Sequence, residues 1–118
     1  MPQIRRLVSD SFRAAFGKID PGRLHNTFEL LGYDFMLDED FRPYLIEVNT
    51  NPCLEVSCPL LARIIPEVLD NAFRIALDPL FPATDPGGAK KWQEVPQELR
   101  FTLVFDEEAD GPALARLM

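Results

Sequence analysis

The sequence has 118 residues, of which 47% are hydrophobic and 26% are charged, so it has the length of one small domain or of part of a larger one. No apolar run reaches the roughly 20 residues that cross a bilayer, and the N-terminus lacks the apolar stretch of a secretory signal. The net charge of −7 argues against general nucleic-acid binding. Cys53 and Cys58 indicate two free thiols rather than a disulfide framework or a zinc cluster.

The charge is unevenly distributed along the chain. Residues 1–25 contain five basic and two acidic side chains, a net of +3, so the remainder carries −10. The basic stretch has two interpretations that the sequence leaves open: a surface for an acidic partner, or an ordinary solvated helix face.

The first predicted element is an amphipathic helix over residues 3–16, in which apolar side chains recur every three or four positions. Gly17 is expected to end it, and residues 20–22 are expected to form a turn.

A β-hairpin is predicted next. Residues 27–37 and 44–49 are rich in β-formers and are joined by the polar loop 38–43. Because both faces are largely apolar, the hairpin is expected to be mostly buried. Folding it symmetrically about the loop pairs Leu37 with Tyr44 and Met36 with Leu45.

The second half of the chain is predicted to contain a helix from a cap at Ser57 to about residue 77. Pro66 interrupts this helix, so we expect either a kink or two abutting helices there. Residues 82–91 have the composition of a mobile loop, residues 99–105 that of one more strand, and residues 106–118 that of a tail compatible with a frayed helix.

Two acidic side chains interrupt apolar runs of the predicted hairpin: Asp34 in LLGYDFML and Glu47 in YLIEV. The symmetric hairpin places them opposite each other. Asn49, two residues beyond Glu47, then lies on the same face, across from Gly32, which has no side chain to fill the space.

Opposed like charges in a sheet repel, since their Cβ atoms lie about 4.5–5.5 Å apart. A shared proton, a basic side chain or a cation must therefore compensate Asp34 and Glu47. The oxygen donors of two carboxylates and an amide suit Mg²⁺ or Mn²⁺ better than zinc. The alternative is a structural ion pair with an arginine from elsewhere in the chain.

The stretch FELLGYDFMLDEDFRPYLIEVNTNPCLE, residues 28–55, resembles the C-terminal part of the tubulin–tyrosine ligase-like family within the ATP-grasp superfamily. That family typically shows F-E-L-x-G-x-D, a short loop, an aromatic residue and L-[LI]-E-[VI]-N-x-x-P. The matching residues are Phe28, Glu29, Leu30, Gly32, Asp34, Leu45, Ile46, Glu47, Val48, Asn49 and Pro52. Residues 1–82 are therefore interpreted as the C-terminal part of such a domain, and residues 83–118 as a flexible loop, strand and tail of uncertain assignment.

The resemblance implies an α+β fold: a partial ATP-grasp domain with the N-terminal helix, the antiparallel hairpin and the kinked helix, followed by the extra strand and the loose tail. It implies an ATP- and Mg²⁺-dependent ligase that adds tyrosine, glutamate or glycine to a protein such as tubulin through an acyl phosphate. By motif, Asp34, Glu47 and Asn49 match the Mg²⁺ ligands that bridge the ATP phosphates. No residue is assigned as a general base.

The implied partners are tubulin or another acidic protein tail and an amino-acid co-substrate, with neither nucleic acid nor membrane. The implied location is the cytoplasm and the cytoskeleton, including the cilium or axoneme. The phosphate-contacting lysines of the family have no counterpart before Phe28, so the chain alone is expected to be incomplete and inactive. The alternative interpretation is a catalytically inactive remnant or interaction module that binds the cytoskeleton without turnover.

Overall fold

The computed structural model describes residues 2–22, 24, 26–82, 84 and 100–116. In chain order the elements are α1 (Pro2–Ile19), β1 (Gly32–Leu37), β2 (Pro43–Asn49), α2 (Pro59–Ala76) and α3 (Glu107–Ala115). This confirms the α+β class. None of the helices in these ranges combines the length and the apolar character needed to cross a bilayer.

The chain divides into two compact units. The first consists of Met1–Asn51 and Leu103–Met118, and the second of Pro52–Thr102. The first unit thus contains α1, the hairpin and α3, while the second contains α2.

Helix α1 continues through Gly17, where the sequence predicted its end, and stops at Ile19. A glycine inside a helix costs only about 1 kcal/mol relative to alanine, which tertiary packing readily overrides. The actual stop is explained by Pro21, because a proline disfavours the helical conformation of the residue before it, here Asp20.

Strands β1 and β2 form a two-stranded antiparallel sheet. The predicted first strand is too long, because the ladder ends where Gly32 lies opposite Asn49, and β1 therefore begins at Gly32 rather than at residue 27. The expectation of a mostly buried hairpin is also wrong, since every residue of both strands is half-buried or exposed. Helix α1 contacts β2, and the hydroxyls of Ser11 and Tyr33 lie 3.2 Å apart, but layers this small cannot bury both faces of the sheet.

The hairpin tip is a short turn organised by Asp38. Its backbone oxygen accepts a hydrogen bond from Phe41 N at 3.0 Å, and its backbone N–H donates to Arg42 O at 3.1 Å. The carboxylate of Asp38 also accepts from the backbone N–H groups of Asp40 and Arg42, at 3.0 and 2.8 Å. Phe41 adopts a left-handed φ of 59°, as expected for a loop of residues 39–41 that ends in a left-handed residue.

This tight turn changes the pairing near the tip. Met36 lies opposite Tyr44, and Leu37 lies opposite Pro43. The predicted pairs of Leu37 with Tyr44 and of Met36 with Leu45 are therefore wrong by one residue, because the loop is shorter than residues 38–43.

A β-bulge restores the predicted register farther from the tip. Phe35 is opposite Leu45, whereas Asp34 is opposite Glu47, so Ile46 has no partner in the ladder. The extra residue shifts the pairing by one position. From Asp34 to Gly32 the register is the one expected from the sequence.

The C-terminal segment of the first unit packs on α1 without forming the predicted strand. Described residues 100–106 contain no strand. Val104 O accepts a hydrogen bond from Ser9 Oγ at 3.0 Å. The Phe105 ring lies 5.2 Å from that of Phe12 and 5.1 Å from that of Phe16. These contacts hold an extended backbone in place without a sheet partner.

The tail then forms α3, in agreement with the helix considered for residues 106–118. Asp106 caps it, since its carboxylate accepts a hydrogen bond from Glu108 N at 2.9 Å. Arg13 of α1 makes a 3.0 Å ion pair with Asp110, so α3 is tied to α1 by charge, next to the aromatic contacts that Phe105 makes just before the helix.

In the second unit, α2 has Cys58 as its N-cap residue rather than the predicted Ser57. The helix is continuous through Pro66, so the option of two abutting helices is wrong. Arg74 Nε donates to Asp70 at 2.8 Å, and this hydrogen bond raises the pKa of Arg74.

Cys53 and Cys58 are free and exposed, as predicted. The mobile loop predicted for residues 82–91 lies almost entirely outside the described residues, apart from positions 82 and 84.

Candidate functional site

The hairpin brings together the three side chains singled out from the sequence. Asp34 on β1 lies opposite Glu47 on β2, and Asn49 lies opposite Gly32. Since Glu47 and Asn49 are two residues apart on one strand, they share a face of the sheet with Asp34. Their role as ligands stays a prediction.

The Asn49 amide bridges the two carboxylates. Its Nδ2 donates to Asp34 Oδ2 and to Glu47 Oε1, each at 3.2 Å. Those two carboxylate oxygens are therefore at most twice 3.2 Å apart. Rotation of the amide by half a turn would replace its donor nitrogen with its acceptor oxygen, so all three side chains could present oxygen to one point.

No lysine or arginine neutralises this pair within the described residues. Arg13 pairs with Asp110 and Arg42 with Asp40, and neither Asp34 nor Glu47 takes part in an ion pair in the described ranges. The structural ion pair considered from the sequence therefore receives no support there. Two exposed carboxylates that share only an amide make a site that favours a cation.

The donor set fits Mg²⁺. This ion takes oxygen ligands at about 2.0–2.1 Å and commonly uses one or two carboxylates, leaving its other positions to water and substrate phosphates. Across residues 2–22, 24, 26–82, 84 and 100–116, no group of three or more His, Cys, Asp or Glu side chains could hold a metal ion. The protein thus offers an open set of two carboxylates and an amide rather than an all-protein cage.

Apolar side chains continue the same face toward the tip. Met36 lies two residues from Asp34 and is 63% exposed, and Tyr44, opposite Met36, is 54% exposed. The bulged Ile46 is 58% exposed. Sequence reasoning missed this patch, although Met36 shares the strand parity of Asp34. A cluster of exposed apolar side chains beside carboxylates is typical of a ligand or partner surface.

Two cavities of the first unit lie elsewhere. One of 530 Å³ lies at the C-terminal end of α1, next to Leu24 and Phe105. The other, of 240 Å³, lies between the N-terminus of α1 and the hairpin tip near Phe41. None of the three candidate ligands lines either cavity, so the candidate site is an open face of the sheet.

Comparisons with known proteins bear on what this face does. The profile of the Tubulin-tyrosine ligase family matches residues 1–85. The human protein monoglycylase TTLL8 is 34% identical over 77 residues, which is 65% of this chain and 9% of the relative. Tubulin glycylase 3B of Drosophila melanogaster is 51% identical over 55 residues, 47% of this chain and 7% of the relative. The protein polyglycylase TTLL10 of Macaca fascicularis is 31% identical over 108 residues, 92% of this chain and 17% of the relative.

The chain spans less than a fifth of the length of each of these relatives. The match over 108 residues necessarily extends past residue 85, so the similarity includes part of the C-terminal segment. No solved structure matches the chain significantly.

Proposed function

The chain belongs to the tubulin-tyrosine ligase family, and on that premise we propose that it is part of an ATP- and Mg²⁺-dependent ligase that attaches an amino acid to tubulin or a similar acidic protein. The observation that carries the proposal is the convergence of Asp34, Glu47 and Asn49 on one open face, with an amide as the only described compensation for two carboxylates.

Asp34 and Glu47 would hold Mg²⁺ together with the phosphates of ATP, and Asn49 would add its amide oxygen after rotation. A bound Mg²⁺ supplies neutralisation of the charge on the β- and γ-phosphates. The chain's own contribution is placement. Opposed strands fix the two carboxylates relative to each other, and Gly32 leaves the space across from Asn49 clear of a side chain.

The apolar patch supports a nucleotide rather than a bare metal ion. Residues two apart on a strand are separated by about 7 Å, so Met36 lies within one nucleotide's length of Asp34. ATP combines a polyphosphate end with a flat, weakly polar base. The face offers two carboxylates that could hold a phosphate-bound Mg²⁺ at one end, and the exposed side chains of Met36 and Tyr44 at the other.

Glycine is the amino acid that the comparisons favour among tyrosine, glutamate and glycine, because the similar proteins are named as glycylases. In the proposed reaction, a protein carboxylate attacks the γ-phosphorus of ATP and ADP leaves. The amine of glycine then attacks the acyl carbon, phosphate leaves, and the nitrogen loses a proton as the amide forms. The corresponding location is with microtubules in the cytoplasm, in the cytoskeleton and in cilia or axonemes.

A paramagnetic experiment tests the metal role. Mn²⁺ replaces Mg²⁺ at oxygen sites and broadens NMR signals of nearby amides. We expect selective broadening at residues 32–36 and 45–50 of the chain, and its loss in the Glu47→Gln variant. The matched control is Glu39→Gln, which removes an exposed carboxylate of the same hairpin. Equal broadening in Glu47→Gln and in the wild type would contradict the site.

A labelling experiment tests the reaction. The protein that contains this sequence is incubated with tubulin, ATP, Mg²⁺ and radiolabelled glycine. Wild-type protein should label tubulin, and Glu47→Gln should not, while the two bind tubulin equally. Tubulin binding by the wild-type protein without transfer of label would instead favour the inactive interaction module.

A further inference from the structure

We propose that the acidic segment Asp106–Asp110 is an internal competitor for acidic peptides that bind the basic helix α1. The inference rests on the proposed function in one respect: an acidic protein tail is the expected substrate. It adds a regulatory contact that the site itself does not contain.

The segment is seated on α1 by three kinds of contact. Ser9 Oγ donates to the backbone oxygen of Val104 at 3.0 Å. The ring of Phe105 lies close to the rings of two phenylalanines of α1. Arg13 Nη2 donates to Asp110 Oδ1 at 3.0 Å. The surface of α1 therefore accepts an aromatic side chain, Phe105, together with a carboxylate from the first turn of α3, Asp110.

The charges of the two partners are complementary. Helix α1, Pro2–Ile19, contains four basic side chains and one acidic side chain, a net charge of +3. Residues 106–110 contain four carboxylates. The chain is acidic elsewhere, so α1 is where an acidic peptide meets favourable charge. The chain's own acidic segment already occupies part of it.

The acidic segment pairs with only one of the arginines of α1, Arg13. Arg6 lies seven residues, or two helical turns, before Arg13 and thus on the same side of α1. Arg6 pairs with Asp10 at 3.7 Å, with both side chains largely exposed. Arg5 has no ion-pair partner in the part of the chain that the structure describes. An external peptide with several carboxylates can therefore engage more arginines than the internal segment does.

The internal contact is also weak enough to be displaced. The side chains of Arg13 and Asp110 are 43% and 32% exposed, and exposed ion pairs contribute little to stability. Helix α3 is nine residues long, and a helix of that length is marginal in water once it loses its tertiary contacts. Displacement of the segment from α1 should therefore unfold α3.

Fluorescence anisotropy with a labelled octaglutamate peptide, at low salt and without ATP, Mg²⁺ or glycine, tests the competition on the full chain. Asp110→Asn should bind the peptide up to about fivefold more tightly than wild type, the largest gain expected if one exposed ion pair no longer competes. Arg13→Gln should bind it more weakly. Asp40→Asn, which breaks the exposed pair with Arg42 at 3.3 Å, is the control for net charge.

Equal tightening in Asp110→Asn and Asp40→Asn would show that only net charge matters and would overturn the proposal. Absence of binding to both wild type and Asp110→Asn would overturn it as well. No nucleotide or metal is present in this assay, so it does not depend on the proposed ligase site. Failure here therefore leaves the ligase proposal standing, and failure of the labelling experiment leaves this one standing.

Hydrogen exchange gives a second readout. The amide of Glu108 donates to Asp106 Oδ1, and the amide of Asp110 donates to Asp106 O at 2.7 Å. Saturating octaglutamate should accelerate exchange at both amides, because the displaced helix frays. Unchanged or slower exchange in the peptide-bound chain would mean that the peptide binds elsewhere, and would overturn the proposal.

Discussion

Replacement of Glu47 by glutamine should stabilise the hairpin in the absence of metal and destabilise it relative to wild type in the presence of Mg²⁺. The glutamine keeps the shape of the side chain and an oxygen that accepts the Asn49 hydrogen bond of 3.2 Å. It removes one of two facing negative charges. The sign of the stability change should therefore reverse with the metal.

The magnitude follows from the geometry. The oxygens of Asp34 and Glu47 that share the Asn49 amide are at most twice 3.2 Å apart, and two unit charges at that separation repel by about 0.6 kcal/mol in bulk water. Relief of this repulsion should raise the Tm by about 2–5 °C for a small domain. If Mg²⁺ binds with a Kd of about 1 mM, 10 mM Mg²⁺ should stabilise the wild type by about 1.4 kcal/mol, and the variant should gain much less.

The assay is thermal unfolding followed by circular dichroism at low ionic strength, in EDTA and then across a Mg²⁺ titration. Glu39→Gln, at the exposed hairpin tip, is the control, and it should keep the Mg²⁺-dependent increase in Tm. A lower Tm for Glu47→Gln in EDTA, or an undiminished Mg²⁺ effect in that variant, would refute the reasoning. If the Tm of Glu47→Gln equalled that of the wild type both in EDTA and in Mg²⁺, the two carboxylates would neither repel each other nor share a cation.

Substitutions at three further positions test the fold by urea unfolding. Gly111→Ala should lower the free energy of unfolding, because Gly111 lies in α3 directly before Pro112, and the proline ring disfavours the helical conformation of a preceding residue that carries a Cβ. An increase would contradict this, since the other neighbours of the new Cβ, Glu107 Cγ at 3.5 Å and Phe16 Cζ at 3.7 Å, are ordinary contacts. Asp106→Ala should lower the free energy of unfolding by about 1 kcal/mol through loss of the cap, whereas Asp106→Asn should not. Phe41→Gly should raise the free energy of unfolding by about 1 kcal/mol, since Phe41 has a φ of 59° and is 80% exposed. A decrease would indicate that packing of the Phe41 ring stabilises the fold.

The sequence predicted the inner half of the hairpin correctly and the outer half incorrectly, for identifiable reasons. The positions of Asp34, Glu47 and Asn49 follow from strand parity and one assumed centre of symmetry. The tip depends on the Asp38 carboxylate, which binds two backbone N–H groups, and on Phe41 in a conformation usually left to glycine. Without a glycine in the loop, the sequence carried no clear signal for a three-residue turn.

The strand predicted for residues 99–105 is absent from the described residues 100–105, and this has a different cause. Its composition favours a strand, but strand formation depends on a neighbouring strand and not on intrinsic preference alone. Val104 and Phe105 contact α1 instead, through the hydroxyl of Ser9 and the ring of Phe12. Nothing in the local sequence of either segment specifies that long-range contact, whereas the helical period of α1 and α2 is visible in the sequence itself.

The unpaired Ile46 has a consequence for how hairpins of this kind can vary in length. The bulge absorbs a one-residue mismatch between the pairing at the tip and the pairing at Asp34. A homologue with one additional tip residue would need no bulge, and its ladder would run uninterrupted from the turn to the two acids. Insertions at the tip and loss of the bulge should therefore occur together during evolution. The length of the hairpin tip would then vary among homologues, while the pairing of Asp34 with Glu47 stays constant.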